Sequence, residues 1–149
     1  MNKFIESKQA VNSGSCLCGE VSFTVTKFEP LVGHCHCTMC RKFHGAAFST
    51  FVEVKLEHLT WLRGESELSS YQAENDTVRQ FCQHCGSSLM FISSFNQQAK
   101  TMEIALACFD TELPVNPDAH IYLASKVSWY SPDDDLAKFS GYRTQSYHE

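Results

Sequence analysis

Apolar, β-branched and aromatic positions along this chain come in short runs set between polar clusters. The runs fall at residues 20–26, 48–54, 59–62, 68–72, 78–81, 89–93 and 102–108. Clusters of Gly, Pro, Ser or Asn separate them, the pattern of strands joined by turns. Helical signals are few. The clearest is Thr38 as an N-cap, followed by residues 39–44 and then Gly45 in the C′ position. The pattern therefore predicts a mainly β domain with one short helix. The first dozen residues read as a loosely held arm, and those after Gly141 as a similar one.

No repeat, linker or composition shift divides the 149 residues, so they read as a single domain over 1–149 with a core at about 14–141. A chain of this length can bury roughly 68–70% of its unfolded surface. No apolar run approaches the ~20 residues of a membrane span. The opening MNKFIESKQAVNSGS lacks the apolar stretch of a secretory signal, so a cytoplasmic location is expected. The net charge of −5, without any basic block, argues against nucleic acid or an anionic membrane as partner. The acidic run Asp133, Asp134 and Asp135 after Pro132 reads as a solvated turn.

Eight cysteines change this picture. In a reducing compartment they point to metal rather than to disulfides. Seven fall into three groups: Cys16 and Cys18; Cys35, Cys37 and Cys40; Cys82 and Cys85. Tetrahedral zinc takes thiolates at about 2.3 Å, and cysteines two or three positions apart on a tight turn can present two of them to one ion. Cys18 and Cys85 are each followed by glycine, which permits a positive-φ turn that aims backbone N–H groups at sulfur. Cys16, Cys18, Cys82 and Cys85 thus read as a closed, structural four-thiolate zinc site. Cys35, Cys37 and Cys40 read as a three-thiolate zinc site with one exchangeable position, the arrangement of a catalytic centre. An alternative pairs Cys37 and Cys40 with Cys82 and Cys85 as one zinc ribbon. Cys108, alone in the apolar stretch IALAC, reads as a buried inert thiol in a strand.

These residues also carry a family resemblance. GSCLCGEVSF at 14–23, CHCTMCRKFHGAAF at 35–48, FCQHCGSSL at 81–89 and HIYLASKVSW at 120–129 resemble the successive motifs of the glutathione-dependent formaldehyde-activating family, which includes the centromere protein V domain. The resemblance runs from about Gly14 to about Gly141. It implies a β-tent of small coiled antiparallel sheets, similar to that of methionine sulfoxide reductase B. It implies the same division of cysteines into a structural zinc and a zinc near which glutathione binds, two zinc ions per chain. The activity it implies is formation of S-hydroxymethylglutathione from glutathione and formaldehyde, a carbon–sulfur lyase reaction in reverse.

A thiol bound at the open position of the three-cysteine zinc would be deprotonated and would attack the aldehyde carbon; alternatively the zinc would polarise the aldehyde oxygen as a Lewis acid. The alkoxide needs a proton, for which His36, His44 or water are candidates. Arg41, next to the last ligand, is a candidate for a glutathione carboxylate. His34, His58, His84, His120 and His148 read as structural or surface residues, and Trp61 and Trp129 as core or rim. Two further readings compete. One is a non-catalytic zinc-binding glutathione carrier or interaction module; the other is a reductase with Cys108 as nucleophile.

Overall fold

The computed structural model describes residues 11–144 and 147. The arm expected before residue 11 and the candidate His148 lie outside the described residues. Among the described residues, eleven strands form two sheets, accompanied by two α-helices. A three-stranded antiparallel sheet takes β1 (Asn12–Ser15), β2 (Ser22–Val25) and β5 (Leu59–Arg63) in the order β1-β2-β5. The larger sheet holds β3 (Val32–Cys35), β4 (Ser49–Lys55), β6 (Leu68–Gln72), β7 (Val78–Cys82), β8 (Ser88–Ile92), β9 (Thr101–Ala105), β10 (Ala119–Ile121) and β11 (Ala137–Lys138). Its order is β11-β10-β3-β4-β9-β8-β7-β6. It is antiparallel except where β10 runs parallel to β3 and to β11. The mainly β class with antiparallel sheets is the one expected.

Each apolar run yields a strand, because alternate residues can be buried on one face. Val21, Phe23 and Val25 are fully buried, as are Val52 and Val54 of β4 and Ile104 of β9. They join Val32, Leu89, Met90, Cys16 and Cys82 in the main core. Phe23 sits at its centre, edge-on to Trp61 and Phe109 with ring centroids 5.9 and 5.4 Å away. Burying a side chain of that size stabilises the fold by about 1.5–3 kcal/mol.

Besides β3, β10 and β11, which no expected run covers, four elements differ from expectation. The expected arm already pairs in β1 at Asn12, whose buried side chain donates to the Val25 carbonyl at 3.1 Å. After Gly141, Arg143 makes a two-pronged pair with Asp118 at 2.8 and 2.9 Å, which ties that end down. The run at 102–108 is cut short. It is a strand only to Ala105, and Leu106–Cys108 turn as a 3-10 helix. A second helix, α2 (Ser94–Ala99), follows β8 behind a capping box between Ser93 and Asn96. Among the described residues, no helix is long and apolar enough to cross a membrane.

The expected helix is α1 (Thr38–His44), closed by Gly45 at φ 62°. Its N-cap is Cys37 rather than Thr38. The Cys37 sulfur accepts the Cys40 N–H at 3.3 Å, so the cap falls one residue earlier than the hydroxyl would have put it.

Candidate metal centres

The hairpin β7–β8 and the turn after β1 bring Cys16, Cys18, Cys82 and Cys85 together, with all four sulfurs within 4.8 Å of one another. Cys16 and Cys18 Sγ are 3.6 Å apart, and Cys18 and Cys82 Sγ 3.8 Å. Four ligands at about 2.3 Å from a tetrahedral ion are about 3.8 Å from each other, so these two separations suit a tetrahedral metal. Gly19 and Gly86 stand at φ 80° and 76°. Backbone N–H groups converge on the sulfurs: Val21 on Cys16 at 3.2 Å and His84 on Cys82 at 3.4 Å. The Ser87 hydroxyl, 3.3 Å from Cys85 Sγ, pulls that thiol down to about 5. Cys85 is so held as a thiolate at neutral pH, the form that binds metal.

The second group stands where β3 runs into α1. Cys35 ends the strand, Cys37 caps the helix and Cys40 lies in its first turn, with their sulfurs within 4.8 Å. Cys35 and Cys40 are buried and Cys37 is half-buried. Phe51, Ala105, Phe91 and Ile121 wall the group. Sulfurs this close cannot all ionise without a cation. Hydrogen bonding from Cys35 and Cys40 moves Cys37 well below the usual thiol range, and the reciprocal bonds push Cys35 up. The two groups are separate, so Cys37 and Cys40 do not share a site with Cys82 and Cys85 as the ribbon alternative required.

The helper residues are placed as follows. Arg41 reaches back along α1 to the Thr38 hydroxyl at 3.4 Å, and its buried Nε has no partner. His44 packs edge-on against Phe51, and burial lowers its pKa. His36 is fully buried and lies 2.9 Å from His120, which in turn lies 2.8 Å from Asp134. The Asp134 carboxylate only accepts, so His120 donates to it from Nε2. His36 Nδ1 is buried without a hydrogen-bond partner. Burial holds His36 neutral, pushing it down to about 4. Asp134, expected in a solvated turn, is instead the outer end of this chain and also takes Lys138 and the Leu136 N–H.

The other candidates are plain. His34 bonds Thr50 at 2.7 Å, His58 lies by Glu57 at 3.7 Å, and His84 meets Glu67 at 2.6 Å. Trp61 packs on the core, and Trp129 is 73% exposed. Cys108 is half-buried rather than buried and donates to the Ser88 carbonyl at 3.4 Å. Burial pushes its thiol up to about 11, so it is protonated and unreactive at neutral pH.

Two residues escaped the sequence reading. Arg79 is buried on β7, with Nη2 3.6 Å from Cys40 Sγ. A charged residue inside the apolar run at 78–81 was its signal. Tyr122 holds a left-handed backbone, φ 58° and ψ 37°, which a bulky residue seldom adopts. It follows Ile121, which pairs with Cys35 across β10–β3. Burial raises its phenol, and the negative field of Cys35, Cys37 and Cys40 adds to the effect. No motif in the sequence marks a strained φ.

The fold and its two sulfur groups define a small mainly β protein whose cysteine clusters could hold metal ions. The model of the family described as glutathione-dependent formaldehyde-activating enzyme matches residues 11–125. The chain belongs to that family. It is 25% identical over 130 residues to a protein of Schizosaccharomyces pombe named as an uncharacterized lyase, covering 81% of this chain and 91% of the relative. The crystal structure of a Rhodobacter sphaeroides protein has the same fold, with a TM-score of 0.54 at 24% identity, over 68% of this chain and 91% of that one.

Proposed function

We propose that the chain is one zinc-binding domain with two zinc ions, and that it joins glutathione or another small thiol to a small aldehyde such as formaldehyde. The reading is of a carbon–sulfur lyase type, run toward the adduct. Family membership and the lyase name of the yeast relative support it. The observation that carries it is the contrast between the two sulfur groups, four donors in one and three in the other. Four thiolates close a tetrahedral site, whereas three leave a position for an exchangeable ligand.

Zinc bound by Cys35, Cys37 and Cys40 would lower the pKa of a substrate thiol and polarise a carbonyl oxygen. In the reaction the thiolate sulfur forms a bond to the aldehyde carbon, the carbonyl π pair moves to oxygen, and that oxygen takes a proton. Tyr122 is 38% exposed and feels the charge of the three sulfurs, so its hydroxyl is our candidate donor to that oxygen. His36 instead is fully buried, with its Nε2 engaged by His120 Nδ1 at 2.9 Å. Arg41, without a carboxylate partner among the described residues, is the cation for an acidic group of the thiol.

The test is the rate of S-hydroxymethylglutathione formation, followed by exchange NMR at equilibrium. The protein should accelerate exchange over the spontaneous reaction, and Cys37→Ser should abolish the acceleration. A protein that holds two zinc ions yet leaves the rate unchanged would be a thiol carrier instead.

A further inference from the structure

Arg79 stands in an unusual electrostatic position. It is 5% exposed, on β7, and its guanidinium carbon lies 5.2 Å from the Phe43 ring and 5.1 Å from the Phe91 ring. One ring comes from α1 and the other from the neighbouring strand β8. Nη2 donates toward Cys40 Sγ at 3.6 Å, while Nε and Nη1 have no hydrogen-bond partner. Among the described residues no carboxylate lies within ion-pair distance of it. Across the sheet the register runs Arg79, Phe91, Glu103, Glu53, so a phenyl ring separates the guanidinium from the nearest carboxylate of its own row.

Arginine stays protonated in proteins, and a buried charge needs a counter-charge. The rings attract the cation but do not neutralise it. The one polar atom given to it is the Cys40 sulfur. A divalent ion with three thiolates carries a net charge of −1, which the single guanidinium balances.

We propose that Arg79 is a positioning residue for the three-cysteine centre. Clamped between Phe43 and Phe91, it donates to the Cys40 sulfur and draws electron density from it. Cys40 is thereby kept as a spectator ligand, and the more nucleophilic sulfur at the metal is that of the incoming thiol. This rests on the reading of Cys35, Cys37 and Cys40 as a metal centre given above. Hydrogen bonds to a ligating sulfur tune both metal affinity and ligand electronics.

The test uses metal alone. Wild-type protein, Arg79→Met and Arg79→Lys are loaded with zinc or cobalt(II), and affinity is measured by competition with a chelator. Methionine keeps the bulk between the rings and removes the charge. Arg79→Met should weaken one of two bound ions by about 10–100-fold. It should also move the sulfur-to-cobalt charge-transfer band to longer wavelength, because the sulfur lone pair is no longer stabilised by a cation. Arg79→Lys should restore most of the affinity with an intermediate band.

Unchanged affinity and an unchanged band in Arg79→Met would overturn the proposal. If Arg79→Met does not fold, Arg79→Lys carries the test, and a wild-type band there overturns it equally. Failure of the underlying reading looks different. Wild-type protein would then bind one ion, and Cys37→Ser would not change that number.

Discussion

The backbone N–H of Leu17 donates to the side-chain oxygen of Ser87 at 2.8 Å, across 70 residues of sequence. Leu17 is the residue between Cys16 and Cys18, and Ser87 follows the Cys85–Gly86 turn. The same hydroxyl sits 3.3 Å from Cys85 Sγ. One oxygen thus staples the two knuckles together and stabilises a thiolate. Ser87→Ala should lose both interactions and lower stability, since the Leu17 bond and the charge-assisted Cys85 bond go together. Denaturant unfolding of zinc-loaded protein measures this directly, with a lowered midpoint at unchanged slope expected.

The two sulfur groups should respond differently to loss of one ligand. Cys16, Cys18, Cys82 and Cys85 join the three-stranded sheet to the β7–β8 hairpin, and Cys16 and Cys82 belong to the main core. Metal binding there is coupled to folding. Cys85→Ser should therefore lower the melting temperature sharply and lose cooperative unfolding on chelation. Cys37→Ser should keep the native circular dichroism while releasing one of two zinc ions. Metal analysis alongside thermal melts separates the outcomes.

Most strands were legible because alternation of buried and exposed positions needs little context; Leu68–Gln72 emerged with the expected ends. The strands missed are those with weak local signals. β1 reads Asn-Ser-Gly-Ser and β3 reads Val-Gly-His-Cys. β1 is a strand because β2 completes its hydrogen bonds on one side, with a bridge from Gly14 to Phe109 on the other. β3 is one because β4 and β10 flank it. Tertiary pairing there overrides propensity. The grouping of seven cysteines was legible because spacing and the following glycines are local features. Arg79 and the His36–His120–Asp134 chain were not, since each depends on which distant strand lies alongside.

Glu103 gives the pH dependence. It faces Glu53 across β4–β9, and Asn96 donates to Glu103 at 3.2 Å. Burial first, and then the Glu53 charge, raise its carboxyl from an ordinary 4.5 to about 7. The folded protein thus holds a proton that the unfolded chain releases between those values. This contribution is fully present below about pH 4.5 and is lost as pH rises through 7. Glu103→Gln removes the decline, so it should be more stable than wild type at pH 8 by about 1–3 kcal/mol. At pH 5 the two should nearly coincide. Matched denaturation curves at both pH values check the sign, and a gain at pH 5 equal to that at pH 8 would contradict it.

Tyr122 concentrates strain and chemistry at one position. A tyrosine at φ 58° costs about 1–3 kcal/mol relative to an extended conformer, and such strain persists only where the surroundings enforce it. Here the Tyr122 N–H bonds the Gly141 carbonyl at 2.9 Å, and its own carbonyl takes the Ser125 N–H at 3.0 Å. The backbone is therefore held whatever the side chain does. Tyr122→Phe keeps the ring and that backbone and removes only the hydroxyl. If the hydroxyl bonds the oxygen that develops charge in adduct formation, the variant should retain both zinc ions and its melting temperature. Its rate of thiol–aldehyde exchange should nevertheless fall about 10²-fold or more. Tyr122→Gly, which relieves the strain, should raise stability if backbone conformation is all that matters at this position. The pair of variants separates the two roles: a full-rate Tyr122→Phe would assign the position to the backbone alone.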